Sequence, residues 1–250
     1  MLPQRRTLLL TPLLLAGAAL SAPAQAWELP LGLPIQGSGQ LVSQDRSVPS
    51  FTRLQADGPF EVTVRPGTTR RVRVRTDDNL QSLVDTHVEN DTLVIAPTRQ
   101  TGWHSREKIQ VTVETPALAA ASLRGSGRLS LERLQGGPFA LALSGSGEIR
   151  LADARLTRLN VQLAGSGDIW LQGQADEARY ELAGSGGVHA DPMRARQLSV
   201  SVAGSGDAVV RAQDDLTVRI AGSGNVRYAG TPRVRQQVAG SGRVSALQEP

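Results

Sequence analysis

The sequence predicts an all-β fold: a right-handed parallel β-helix, or β-solenoid, with coils of 18–20 residues and irregular, wider coils at its N-terminal end. Three observations predict it. The tripeptide Gly-Ser-Gly returns seven times in the second half, starting at Gly125, Gly145, Gly165, Gly184, Gly204, Gly222 and Gly240. Apolar and polar residues alternate on both sides of the copies. Aromatic residues make up 3% of the chain, which suits a narrow interior with room for few rings. So regular a period means one supersecondary unit stacked on copies of itself. A strand–helix–strand unit needs about 30 residues or more, so coils of this length are stacked strands. Parallel strands joined within a twisted sheet connect right-handedly.

The first 26 residues read as a removable export signal. Arg5 and Arg6 supply the positive end, Leu8 to Leu20 the apolar stretch, and Ala24-Gln25-Ala26 a small-residue cleavage site. A membrane anchor fits less well, because Pro12 interrupts the stretch. Gln4 to Leu9 also resembles a twin-arginine signal, although paired arginines are common in general secretory signals. No later segment is apolar enough over a sufficient length to span a bilayer once the signal is removed.

Composition narrows the chemistry. There is no cysteine, which excludes disulfide staples, an acylated N-terminal cysteine, zinc–thiolate sites and cysteine nucleophiles. Of the 27 basic residues two lie in the signal, so the remainder nearly balances the 23 acidic ones. Lys108 is the only lysine, and the arginines are scattered rather than clustered, so nucleic acid is not an expected partner.

Residues 27–48 form a Pro-rich lead-in, with Pro30 to Pro34 followed by an eighth Gly-Ser-Gly at Gly37 to Gly39. Residues 49–115 form an irregular β region. Phe60 to Val64 and Arg71 to Arg75 alternate as strands around a turn at Pro66-Gly67; Asn79 to Val84 reads as one helical turn; Thr92 to Ile95 and Ile109 to Val113 read as further strands. The stretch from Pro49 to Val62 aligns without a gap on Pro116 to Leu129. Leu54 then matches Ala121, Gly58 matches Gly125, and Phe60 falls where Gly127 stands. The region is therefore expected to continue into the regular solenoid and to cap it, as repeat arrays require.

Residues 116–250 are the regular coils. One alternating pair follows each tripeptide, as in Ile149/Leu151 and Ile169/Leu171, and another precedes it, as in Val161/Leu163 and Val200/Val202. Each coil is thus expected to hold two short strands, a glycine corner and a variable polar loop. The loops run from Leu151 to Leu159, Gln172 to Glu177 and Asp191 to Gln197. The corner glycines are Gly125 and Gly127, Gly145 and Gly147, Gly165 and Gly167, Gly184 and Gly186, Gly204 and Gly206, Gly222 and Gly224, and Gly240 and Gly242. If the alternation runs through the corner, the glycines face inward and Ser126, Ser146 and Ser166 face outward; a broken parity would turn the serines inward, where they must hydrogen-bond along their column.

Gly37-Ser38-Gly39, Phe51-Thr52-Arg53-Leu54, Gly58 to Val62, Asp77-Asp78-Asn79-Leu80 and Thr92 to Ile95, followed by serial Gly-Ser-Gly coils, together resemble the head GIN domain family, the putative auto-transporter adhesins. The resemblance covers Gly37 to Gly242 and implies an exported bacterial β-helix with an adhesin-like role.

Candidate chemistry is sparse. Gly-Ser-Gly lacks the spacing of a nucleophile elbow and the ending of a P-loop, and its repetition argues for structure. The residues after the tripeptide form a column: Arg128, Glu148, Asp168, Gly187, Asp207, Asn225, Arg243. Glu148 above Asp168 is the one place where calcium is conceivable; a solvated surface row is the simpler reading, and no cofactor is expected. Arg71, Arg73 and Arg75 share one strand face and with Trp103 make a candidate ligand surface. The plainer readings are an edge strand protected by charge and an indole that caps the solenoid. His87, His104 and His189 have no ligand spacing. The function read from the residues and the resemblance is an exported, non-catalytic binding or scaffold solenoid of the periplasm, the outer membrane or the exterior, with a glycan or envelope component as partner. The alternative is a polysaccharide lyase or hydrolase. It requires Asp153, Asp176, Glu177, Asp191, Asp214 and Asp215 to converge in one groove.

Overall fold

The computed structural model describes residues 34–98 and 102–247. The expected signal, residues 1–26, and the lead-in as far as residue 33 lie outside the described residues.

The strands of the N-terminal half are β1 (Ile35–Gln36), β2 (Leu41–Arg46), β3 (Arg53–Asp57), β4 (Glu61–Pro66), β5 (Arg71–Asp77), β6 (Val84–Glu89), β7 (Thr92–Pro97), β8 (Trp103–His104) and β9 (Gln110–Thr115). A 3-10 helix, Asp78–Leu83, joins β5 to β6. The repeats supply β10 (Ala120–Gly125), β11 (Arg128–Glu132), β12 (Gln135–Gly145), β13 (Glu148–Gly165), β14 (Asp168–Gly184), β15 (Gly187–Gly204), β16 (Asp207–Gly222), β17 (Asn225–Ala229), β18 (Arg233–Gly240) and β19 (Arg243–Ala246). All strands from β10 onward pair in parallel, each coil upon the last, in a β-solenoid of about six turns.

Each coil has three inward runs rather than two. In β13 they are Ile149 and Leu151 on the first side, Ala154 and Leu156 on the second, and Leu159, Val161 and Leu163 on the third, all buried. The segments expected as polar loops, Leu151 to Leu159, Gln172 to Glu177 and Asp191 to Gln197, are therefore strand, not loop. Their ladder carries on from coil to coil: Leu156 pairs Ala175, Ala175 pairs Ala195, and Ala195 pairs Ala212. The inward residues there are mostly alanine, small enough for a narrow side of the core but weak as an alternation signal. Each fully buried leucine, isoleucine or valine of the other two sides contributes about 1.5–3 kcal/mol of burial.

The Gly-Ser-Gly corner lies between the third side of one coil and the first side of the next. Parity runs through it: Gly147 is buried and Ser146 exposed, and likewise Gly167 and Ser166. The two glycines serve different needs. Gly145 has φ +119, where an L side chain is strained. Gly147 sits so close to the coil below that a Cβ would lie 2.7 Å from the Gly127 carbonyl oxygen. That approach lets the Ser146 N–H donate to Gly125 O at 3.0 Å and the Glu148 N–H to Gly127 O at 3.0 Å, so the corners are hydrogen-bonded along the stack.

The first-half alignment is a real register. Leu54 pairs Ala121 and Val62 pairs Leu129 in parallel ladders. Phe60 is fully buried, and the Arg128 N–H donates to its carbonyl at 2.8 Å. Toward the N-terminal end the first side continues β11–β4–β9–β5–β2 and the third side β10–β3–β7–β6. β4 and β5 thus do not pair across Pro66-Gly67; β9 lies between them. The pairing turns antiparallel at β5, β2 and β6, and the 3-10 helix crosses the end with Leu80 and Leu83 buried. The eighth Gly-Ser-Gly is not a coil corner. A Cβ on Gly37 would overlap the Asp77 carboxylate, Ser38 Oγ donates to Asp78, and the Ser38 N–H donates to Asn79 Oδ1 at 3.0 Å. It clamps the cap.

Candidate functional site

Outward side chains of a parallel stack line up in columns, because in-register partners repeat every coil at about 4.8 Å. One column of the first side runs Arg73, Thr112, Thr63, Ser130, Arg150, Trp170, His189. From Arg73 to Trp170 it crosses five strand spacings, about 24 Å. Trp170 lies between the buried Ile169 and Leu171, so the pleat turns its indole outward, and it is 45% exposed. His189 stacks on it with ring centroids 3.9 Å apart. Arg150, Gln172, His189 and Pro192 surround a shallow hollow of about 360 Å³ beside the indole.

Four arginines of this side are ion-paired. Arg73 donates to Asp45 from Nε at 2.7 Å and Nη2 at 3.1 Å, and this hydrogen bond holds the Asp45 carboxyl below its ordinary value. Arg128 bridges Glu61 at 3.5 Å and Glu148 at 3.2 Å; Arg150 also pairs with Glu148, and Arg65 with Glu132 at 3.5 Å. Partial burial pushes the Glu148 carboxyl up, but the hydrogen bond from Arg150 and the charge of Arg128 outweigh it and hold it low. The result is a face of hydroxyls, compensated ion pairs and one exposed indole.

The sequence-predicted residues are placed as follows. Arg71, Arg73 and Arg75 are exposed on this same first side, Arg75 donating to Gln110 at 3.2 Å. They do not guard an edge, because β5 is covered by β2 on one side and β9 on the other. Trp103 does not join them. Its ring stacks on Phe60, centroids 5.9 Å apart and 9° from parallel, and packs against the core. Asp168 faces His189, with 3.3 Å between Oδ1 and Nε2, and Glu148 is engaged by two arginines. No group of three or more histidines or carboxylates able to hold a metal ion occurs among the described residues.

Three of the six carboxylates of the catalytic alternative are tied up separately. Glu177 pairs with Arg158 at 2.8 Å, Asp214 with Arg196 at 3.4 Å and Asp215 with Arg233 at 3.0 Å. Asp153 sits at a corner with φ 53. A larger hollow, about 570 Å³, runs along the third side over Ser122, Ala142 and Gln162, without an aromatic ring or a catalytic pair. The residue that sequence reasoning missed is Trp170. Its signal was available: a tryptophan on the outward parity, between two inward apolar residues.

Comparisons with known proteins agree with this architecture. A putative adhesin from Bacteroides fragilis superposes with a TM-score of 0.77 at 24% identity, over 85% of this chain and 100% of that one. A putative lipid binding protein from Parabacteroides distasonis gives 0.72 at 23% identity, over 86% and 100%. A putative adhesin from the same organism gives 0.66 at 27% identity, over 85% and 99%. No curated protein matches the chain. The family model described as "Putative auto-transporter adhesin, head GIN domain" matches residues 50–232, a span that begins in the irregular N-terminal half and ends in the last coils. The chain belongs to that head GIN domain family.

Proposed function

We propose that this protein is an exported, non-catalytic binding solenoid of the cell envelope, and that its first side holds an extended, uncharged glycan along the column from Arg73 to Trp170. The observation that carries the reading is the indole of Trp170, exposed on a rigid sheet and flanked by polar side chains. An aromatic ring with one apolar surface and nearby hydrogen-bonding groups matches the two-sided character of a sugar ring. The hydroxyls of Thr63, Thr112 and Ser130 offer donors and acceptors along the same line. Compensated arginines favour a neutral ligand over a polyanion such as nucleic acid.

Binding of the protein lacking residues 1–26 to a broad glycan array tests this. Binding to neutral oligosaccharides, weakened about tenfold or more by Trp170→Ala, is the expected result. Cleavage of an arrayed polysaccharide, or binding that Trp170→Ala leaves unchanged, contradicts it. Export is tested by fractionating the native cell, where the protein should begin at Trp27 and lie outside the cytoplasm.

A further inference from the structure

The two ends of the solenoid are finished differently. At the N-terminal end antiparallel strands and the 3-10 helix cover the core. At the other end, β18 pairs with β16 on one side only, and no described strand pairs with its outer side. Its inward side chains, Val234, Gln236 and Val238, continue the columns of Leu216, Val218 and Ile220, yet every residue of β18 is exposed. Val234 is 36% and Val238 40% exposed. A row of unpaired backbone groups beside apolar side chains is a template for another strand.

We infer that the strand that pairs there is β18 of a second copy of this chain, in a tail-to-tail dimer about a two-fold axis through Gln236. The register follows from the sequence of the edge. Antiparallel pairing centred on Gln236 sets Val234 opposite Val238 of the partner subunit twice over. It sets Gln236 opposite its own copy, where two amides can exchange hydrogen bonds. Outside, Arg235 meets Gln237 and Arg233 meets Ala239. Centring on Arg235 would oppose two arginines and set each valine against a glutamine or worse. Centring on Gln237 would oppose Val238 with Gln236. Of these three registers only the one centred on Gln236 joins apolar to apolar without opposing like charges, and it does so at two valine pairs. The axis stands perpendicular to the third side, so the inward faces of both copies stay inward and the two cores become continuous. The contact is isologous and the opposite ends are capped, so assembly stops at two. The dimer carries two first sides and hence two copies of the Trp170 column, a bivalent arrangement that raises avidity for a polymeric ligand. The self-association stands independently of what that column binds.

The absence of cysteine makes the test clean. Directly opposed antiparallel residues have Cα atoms about 4.5–5.5 Å apart, within the range a disulfide spans. Gln236→Cys should give a covalent dimer with diamide as oxidant. Arg219→Cys, exposed one coil inside the end, should not. By light scattering, the protein lacking residues 1–26 should have twice the chain mass at tens of micromolar. Val238→Lys, which places a charge against Val234 of the partner subunit, should weaken the dimer about a hundredfold while its thermal melt stays cooperative. A monomer at about 100 µM, equal cross-linking of the two cysteine variants, or a ladder of masses beyond two overturns the inference.

Discussion

Trp170 lies against His189 with ring centroids 3.9 Å apart and planes 13° from parallel. The two are ladder partners, so the stacking is imposed by the pitch of the coils rather than by a loop. Such a pair contributes about 0.5–1.5 kcal/mol. His189→Ala should lower stability by that amount in a urea melt. It should also alter the emission of Trp170, since one face of the indole loses its cover. An unchanged melt and spectrum would show that the stack is incidental.

Tyr180 points into the core of the third side. It is fully buried, and its hydroxyl has no hydrogen-bond partner among the described residues. Burial pushes that hydroxyl well above its ordinary pKa, so it stays protonated throughout the working range. An unsatisfied buried hydroxyl costs about 1–3 kcal/mol. Tyr180→Phe keeps the ring and removes the orphan, so it should raise stability by about 1 kcal/mol. A lower melting temperature for the phenylalanine variant would mean the hydroxyl does have a partner.

The corner residues should split by position. Gly145→Ala combines a strained φ of +119 with a Cβ 2.6 Å from the Gly125 carbonyl oxygen, and Gly147→Ala meets the Gly127 carbonyl oxygen at 2.7 Å. Each should cost more than about 3 kcal/mol, because the obstructing atom is backbone and cannot turn aside. Ser146→Ala, with an exposed side chain, should stay within about 0.5 kcal/mol of the parent. Chemical denaturation of the three variants checks the series. A severe loss on Ser146→Ala would give the serine a role the frame does not require.

Glu148 contributes to the acid sensitivity of the first side. Its folded pKa lies below the ordinary value of 4.5, so the stabilisation is fully present above that pH. It is lost as pH falls through the depressed folded value. At neutral pH Glu148→Gln should be less stable by under about 1 kcal/mol, since the ion pairs are solvent-screened. Below pH 4.5 the difference should shrink toward zero. A gap that persists or widens in acid would assign the effect to packing instead.

Much of the frame was legible in the residues because a solenoid repeats its own alignment. The ungapped match of Leu54 to Ala121 and Val62 to Leu129 is the hydrogen-bonded register itself. The second side was not legible, because Ala154, Ala175, Ala195 and Ala212 carry little apolar contrast. The place of β9 between β4 and β5 was hidden for a different reason. It depends on pairing over about 35 to 50 residues, which no local pattern encodes. Trp103 lies in a polar neighbourhood that made it a candidate ligand contact, yet it packs on Phe60 as the plainer capping reading has it; Trp170 was passed over although strict alternation places it outside. Arg73 illustrates the limit of charge counting, since its partner Asp45 comes from an edge strand that the alternation of β5 does not reveal.

The capped N-terminal end also orders the folding of the chain in time. From β10 onward every coil pairs with a strand already made, most of them only 18–20 residues earlier. The entropic charge of closing a segment that short is nearly constant from one coil to the next. The exception is the first regular coil, which must find β3 and β4 some 67 residues back, so the cap is the slow, nucleating step. A chain emerging from its N-terminal end completes that nucleus first and then grows by templated addition. Lesions in the cap should therefore slow the appearance of the whole rod, whereas lesions in β16 or β18 should leave the rate intact and fray only the last coils.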